Sequence, residues 1–133
     1  MSAIRSNSPG PIQRLPHIGK FEDAVTVVDN DTYAIKDLFL KDTRGVCHYT
    51  VSVTQLHPRR STTGHSHSNY DEIYTFTEGL GLMNCDGVPF FVEPGLHVYV
   101  EKGKWHQVTN TESTQNLVFM CYYPGEIKRP HLK

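Results

Sequence analysis

The densest chemistry in the chain lies at His65-Ser66-His67, followed five residues later by Glu72. Side chains of an extended segment alternate with period two, so both imidazoles of a His-x-His segment fall on one side. Glu72 shares a face of the following run with Tyr74 and Phe76, which brings a phenol next to whatever the carboxylate touches. His106 comes much later, on a face with Val108 and Asn110. Three neutral imidazoles and one carboxylate suit a divalent transition ion: Fe(II), Mn, Ni, Co, Cu or Zn. Such a set leaves one or two coordination positions for a substrate or water. A single His-x-His is more often a surface pair than a pair of ligands. Glycines shift the balance: Gly64, Gly79, Gly95 and Gly103 stand around these residues, where strands must turn tight corners.

The elements that must carry these residues read as all-β. Val46–Leu56 alternates, with Cys47, Tyr49, Val51 and Val53 on one face and His48, Thr50, Ser52 and Thr54 on the other. Further β-type runs cover Thr32–Leu40, Asp71–Glu78, Leu80–Asn84, Val88–Val92, Leu96–Val100, Trp105–Thr109 and Leu117–Tyr123, about eight strands with turn residues between them. Asp86-Gly87 is a hairpin signal. No amphipathic helix is visible. Short, evenly punctuated strands predict a sandwich or barrel. In a closed barrel the polar face of a strand can meet water or line an interior pocket, and His48, Thr50, Ser52 and Thr54 fit either. Residues 1–20, with Pro9, Pro11 and Pro16, form an irregular arm ahead of a single domain over 21–133.

Composition narrows the function classes. The chain has 133 residues, one domain's worth, and its 13 Lys and Arg against 14 Asp and Glu give a formal charge of −1. That balance predicts neither a nucleic-acid nor a membrane partner, since either would show a basic stripe. The longest apolar run, Leu117–Tyr123, is far too short to span a bilayer, and the N-terminus has no signal-peptide segment, so the cytoplasm is the expected location. Cys47, Cys85 and Cys121 are scattered without C-x-x-C spacing and read as reduced thiols. Trp105 points away from His106 and is expected to pack. His97, like His48, either lines the cavity or faces solvent.

These motifs resemble those of the cupin superfamily. Its first motif reads here as His65-x-His67-x4-Glu72-x6-Gly79, with Arg59 at the position of the motif's leading glycine and Gly64 available for that corner. The second reads Gly95-x5-Glu101-x-Gly103-x2-His106-x3-Asn110, with Glu101 in place of a proline. The likeness extends over about 46–123. It implies a single small β-barrel (a jelly roll or double-stranded β-helix), often a homodimer, holding one divalent metal ion on His65, His67, Glu72 and His106.

A second resemblance is to the archaeal, cupin-type glucose-6-phosphate isomerases. It is carried by Thr54-x-Leu56-x-Pro58, Thr62-x-Gly64-His65-x-His67, Glu72-Ile73-Tyr74, Pro94-Gly95 and Tyr123-Pro124. By position it implies that Thr54, Thr62 and Gly64 hold the phosphate of a small-molecule substrate and that Tyr74 faces the reacting carbons. Arg59 would add charge at the phosphate. An aldose–ketose shift also needs a proton shuttle beside the metal, and Glu72 is the carboxylate the motifs place there. Fold does not choose among cupin chemistries. A non-haem metal dioxygenase uses the same four ligands, a metal-dependent lyase or decarboxylase would use Tyr74 as base, and a non-enzymatic cupin would only bind a ligand.

Overall fold

The computed structural model describes residues 20, 22, 24–38 and 49–124. The expected N-terminal arm, apart from residue 20, lies outside the described residues, as do His17, Cys47, His48 and His131. Nine strands follow in order: β1 (Val25–Asp29), β2 (Tyr33–Leu38), β3 (Tyr49–Leu56), β4 (Glu72–Glu78), β5 (Gly81–Cys85), β6 (Val88–Val92), β7 (His97–Val100), β8 (His106–Asn110) and β9 (Leu117–Pro124). Every pairing is antiparallel. One sheet has the order β1-β2-β3-β9-β4-β7 and the other β6-β5-β8, the two faces of a jelly roll.

Eight of the nine strands correspond to runs visible in the sequence. The addition is β1, an edge strand with almost no buried side chain, whose Val-Thr-Val-Val pattern has no period of two to reveal it. It exists as the outer half of a hairpin. Asn30 Oδ1 accepts hydrogen bonds from the backbone N–H groups of Thr32 and Tyr33 and fixes the turn into β2. The Asp86-Gly87 hairpin forms as the sequence predicts: both residues have positive φ, 51° and 84°, and Cys85 pairs with Val88 across them.

Alternation sorts the side chains. On β4, Glu72, Tyr74 and Phe76 are buried, and on β9 Leu117, Phe119, Cys121 and Tyr123 are. From the smaller sheet, Met83, Val92 and Val108 meet them in one core. The ring centroids of Tyr74 and Phe76 lie 5.4 and 5.3 Å from that of Phe119, an aromatic layer across β4 and β9. The ambiguity of β3 resolves inward, because Thr50, Ser52 and Thr54 are all buried. They align with buried neighbours on both flanking strands. Asp37 of β2 pairs with Ser52, Ser52 with Cys121, and Cys121 with Tyr74. Thr50 pairs with Tyr123, and Glu72 stands one position beyond the Ile73–Tyr122 pair.

Two corners show how backbone conformation closes the barrel. Gly79 has φ of 84°, and a Cβ there would sit 2.5 Å from the Asn116 carbonyl oxygen, so any side chain is excluded by both strain and contact. Arg59 has φ of 65°, so it adopts the left-handed conformation of the glycine it replaces. The corner expected of Gly64 therefore stays at Arg59.

Asn110, 1% exposed, ties three segments together. Its Nδ2 donates to the carbonyls of Leu56 and Gln115, and its Oδ1 accepts from the N–H of Glu112. Asn110→Ala leaves those buried groups unpaired and is expected to lower stability by about 3 kcal/mol, read as a lower midpoint in urea unfolding with an unchanged slope.

Candidate metal centre

The four residues that the motifs single out converge. The segment ahead of β4 runs antiparallel to β8, with bridges Ser61–Thr109 and His65–His106. Reciprocal backbone hydrogen bonds of 3.1 and 2.9 Å set His65 and His106 side by side. His67 is anchored by its carbonyl, which accepts the Gly103 N–H at 2.6 Å. Glu72 opens β4 opposite Val100. One ligand atom from each of His65, His67, Glu72 and His106 lies within 4.8 Å of the others.

Hydrogen bonds aim the imidazoles. His65 Nδ1 donates to the Thr63 carbonyl at 2.7 Å, and His106 Nδ1 to the Lys104 carbonyl at 2.9 Å. His67 Nδ1 lies 2.7 Å from the Tyr70 hydroxyl, and the Tyr70 ring stacks on it. With each Nδ1 occupied, the Nε2 lone pairs are directed inward, which is how metal-binding histidines are held. His67 Nε2 and His106 Nε2 each approach Glu72 Oε1 at 3.2 Å. Ligands about 2.1 Å from a shared ion are roughly 3 Å apart at right angles and about 4.2 Å apart when opposed, so the 3.2 Å pairs match one ion and the widest spacing, up to 4.8 Å, would draw in by about half an ångström around it.

The electrostatics lead the same way. Glu72 and His106 are each 1% exposed. Glu72 Oε1, Oε2 and His106 Nε2 are buried without a hydrogen-bond partner, so their 3.2 Å approaches are charge contacts rather than aligned hydrogen bonds. Burial pushes the Glu72 carboxyl up, but the imidazoles of His106 and His67 outweigh it and hold it at about 2. Tyr74 is driven well above the usual phenol value, first by burial and then by the Glu72 charge, so its hydroxyl keeps its proton. A buried carboxylate faced by imidazole nitrogens is the surrounding a divalent cation satisfies.

The remaining candidate residues are spread out. Thr54 is inside the barrel, paired with Ile35 and Phe119 beside the aromatic layer. Thr62 is committed to β8: its hydroxyl accepts the Val108 N–H and its own N–H donates to the Val108 carbonyl. Gly64 lies under the Trp105 ring, where a Cβ would come within 2.0 Å of Trp105 Cζ2. Its requirement is contact with the indole, and Trp105, 39% exposed, packs on it with part of its ring. Arg59 is exposed, and the bond from the Asn110 N–H to the Arg60 carbonyl puts this turn at the end of β8 remote from His106. His97 is exposed and shares a hydrogen bond with Thr75 on the outer face. Sequence reasoning overlooked Tyr70. An aromatic three residues after His67, in the same loop, was the available signal.

Comparison with known proteins follows this geometry. The family described as cupin domain matches residues 52–123. A protein of Methanocaldococcus jannaschii is 33% identical over 60 residues, 45% of this chain, and the match spans about half of that relative (48%). A predicted oxalate decarboxylase from Thermotoga maritima superposes with a TM-score of 0.70 at 18% identity, covering 81% of this chain and 98% of that one. A protein assigned as a sugar phosphate isomerase from Acidithiobacillus ferrooxidans superposes at 0.58 with 22% identity, covering 68% and 59%. At such identities the structural likeness speaks for the fold.

Metal analysis of untagged protein reconstituted with Mn(II) or Zn(II) tests the cluster. About one ion per chain is expected for the wild type, with His106→Ala and Glu72→Gln reduced at least tenfold, as loss of one of four ligands implies.

Proposed function

The chain belongs to the cupin family, and on that premise we propose that it is a metal-dependent enzyme that moves a proton between adjacent carbons of a small, oxygen-rich metabolite, as in a sugar or sugar-phosphate aldose–ketose isomerase. The observation that carries this reading is the inward set of His65, His67, Glu72 and His106, with Nδ1 bonds holding each imidazole in place. One divalent transition ion is the cofactor. When bound it supplies Lewis acidity toward a carbonyl oxygen and its neighbouring hydroxyl.

The chain's own groups do the rest. Both imidazole approaches are to Glu72 Oε1, which leaves Oε2, buried and without a hydrogen-bond partner, to take the proton from the carbon beside the carbonyl and return it to the next carbon. Tyr74, protonated and beside Glu72, hydrogen-bonds a substrate oxygen rather than acting as base, and the proton of the substrate hydroxyl passes to the neighbouring carbonyl oxygen, which completes the exchange. Burial of Glu72 and His106 limits the access of water to the reacting carbons, while the partly exposed His65 and His67 mark the open side. The polar row on β3 supports a hydroxylated substrate over the apolar one a dioxygenase pocket favours.

Proton NMR in deuterium oxide tests this directly. Metal-loaded protein incubated with ketopentoses, ketohexoses and their phosphates is expected to introduce solvent deuterium beside the carbonyl. Glu72→Asp, which keeps a carboxylate ligand, should slow that exchange at least 100-fold through its displaced oxygen. Oxygen uptake without exchange would identify a dioxygenase, carbon dioxide release a decarboxylase, and binding without turnover a non-catalytic role.

The enzyme works as a homodimer in this proposal. Tyr49, Ile73 and Tyr99 are exposed apolar side chains on the outer face of the larger sheet, around a surface pocket of about 250 Å³ that also includes Tyr122 and Asp71. Sedimentation is expected to give a dimer for the wild type and a shift toward monomer for Tyr49→Asp.

A further inference from the structure

One buried polar group inside the barrel has no part in the metal cluster. Ser52 is 1% exposed and its Oγ makes no hydrogen bond among the described residues. It faces the interior between Asp37 of β2 and Cys121 of β9, with Tyr74 next along the same row. The adjoining row, Thr50, Tyr123 and Glu72, leads to the metal ligands. A serine hydroxyl can both donate and accept, and leaving it dry and unpartnered is unfavourable unless something else satisfies it.

We propose that Ser52 is a substrate-binding residue that holds an uncharged hydroxyl at the end of the substrate remote from the metal, with Asp37 bordering the same subsite, so that the enzyme's substrate is an unphosphorylated hydroxycarbonyl compound. This rests on the proton-transfer reading above and narrows it. Three features carry the assignment. The first is the orphan hydroxyl itself. The second is its distance: Ser52 and Glu72 are separated by one intervening strand and one row, roughly 12 Å between backbones along the sheet. With side chains reaching in from both, the gap suits a chain of about five carbons and exceeds what three carbons can bridge. The third is charge. Among the described residues the row has a carboxyl at Asp37 and no cationic side chain, whereas a phosphate would require donors or cations. Of the residues suggested for phosphate only Thr54 faces this interior: Thr62 is bonded to β8, Gly64 lies beneath Trp105 and Arg59 is exposed.

Titration calorimetry of Mn(II)-reconstituted protein distinguishes the outcomes. Dihydroxyacetone is the short probe, which reaches only the metal. D-Xylulose is the long one, and xylulose 5-phosphate is its anionic counterpart. For Ser52→Ala, D-xylulose binding should weaken about 3- to 10-fold while dihydroxyacetone binding stays unchanged. Ser52→Thr, which retains the hydroxyl, should recover part of the loss. The metal-free Ser52→Ala protein should melt at the wild-type temperature or above, because an unpartnered hydroxyl has been removed. Equal weakening of both sugars, no weakening of either, or a clearly lower melting temperature would overturn the role of Ser52. Tighter binding of xylulose 5-phosphate than of xylulose would overturn the uncharged terminus. If the metal-loaded wild type bound neither sugar, the proton-transfer reading itself would fail, a result distinct from one in which dihydroxyacetone still binds.

Discussion

The rest of the structure depends on one desolvated carboxylate. Glu72 lies at the start of a central strand with almost no access to solvent, and the groups nearest its oxygens are imidazole nitrogens whose other ring positions are already engaged. An ionised acid buried in this way needs cationic compensation. The backbone around it is arranged to keep that requirement in place. The His65–His106 bridge fixes two rings against each other, the Gly103 bond fixes the chain at His67, and Trp105 over Gly64 fixes the approach to His65. None of these contacts is strong alone. Together they leave the side chains few alternative positions, which is what a metal or catalytic site needs from its supports.

The interior is zoned. Phe76, Phe119 and Leu117 fill one part as an ordinary apolar core, while Thr50, Ser52, Asp37 and Glu72 make the neighbouring part polar. Threonine and serine at inward positions give up the stabilisation that valine or isoleucine would contribute, on the order of 1–2 kcal/mol each. A chain selected only to fold would alternate apolar residues all along β3. Its inward polar series is a local conflict between pattern and burial, the kind found where a fold serves a ligand.

The four clustered residues were legible because they depend on local rules. His65 and His67 share a side through period two, and the hairpin at Asp86-Gly87 announces itself in two residues. The inward turn of β3 was not legible: alternation divides a strand into two faces without saying which one the opposite sheet covers. That decision comes from the pairing of β3 with β9, residues far apart in sequence. Gly64 shows the same limit. A glycine ahead of two histidines reads as a corner, yet its neighbour is an indole contributed by a distant turn, and the corner itself is made by Arg59 in a conformation sequence patterns assign to glycine. Edge strand β1 stayed hidden because an exposed strand has no buried face to leave a periodic trace.

Glu72 belongs to the six-stranded sheet, and His106 to the three-stranded one. A cation held between them would therefore be a rivet through the two leaves of the sandwich. Prising the leaves apart would then mean tearing out the ion, and filling the site would clasp the leaves shut, so that retaining the ion and resisting mechanical or proteolytic opening would be one property.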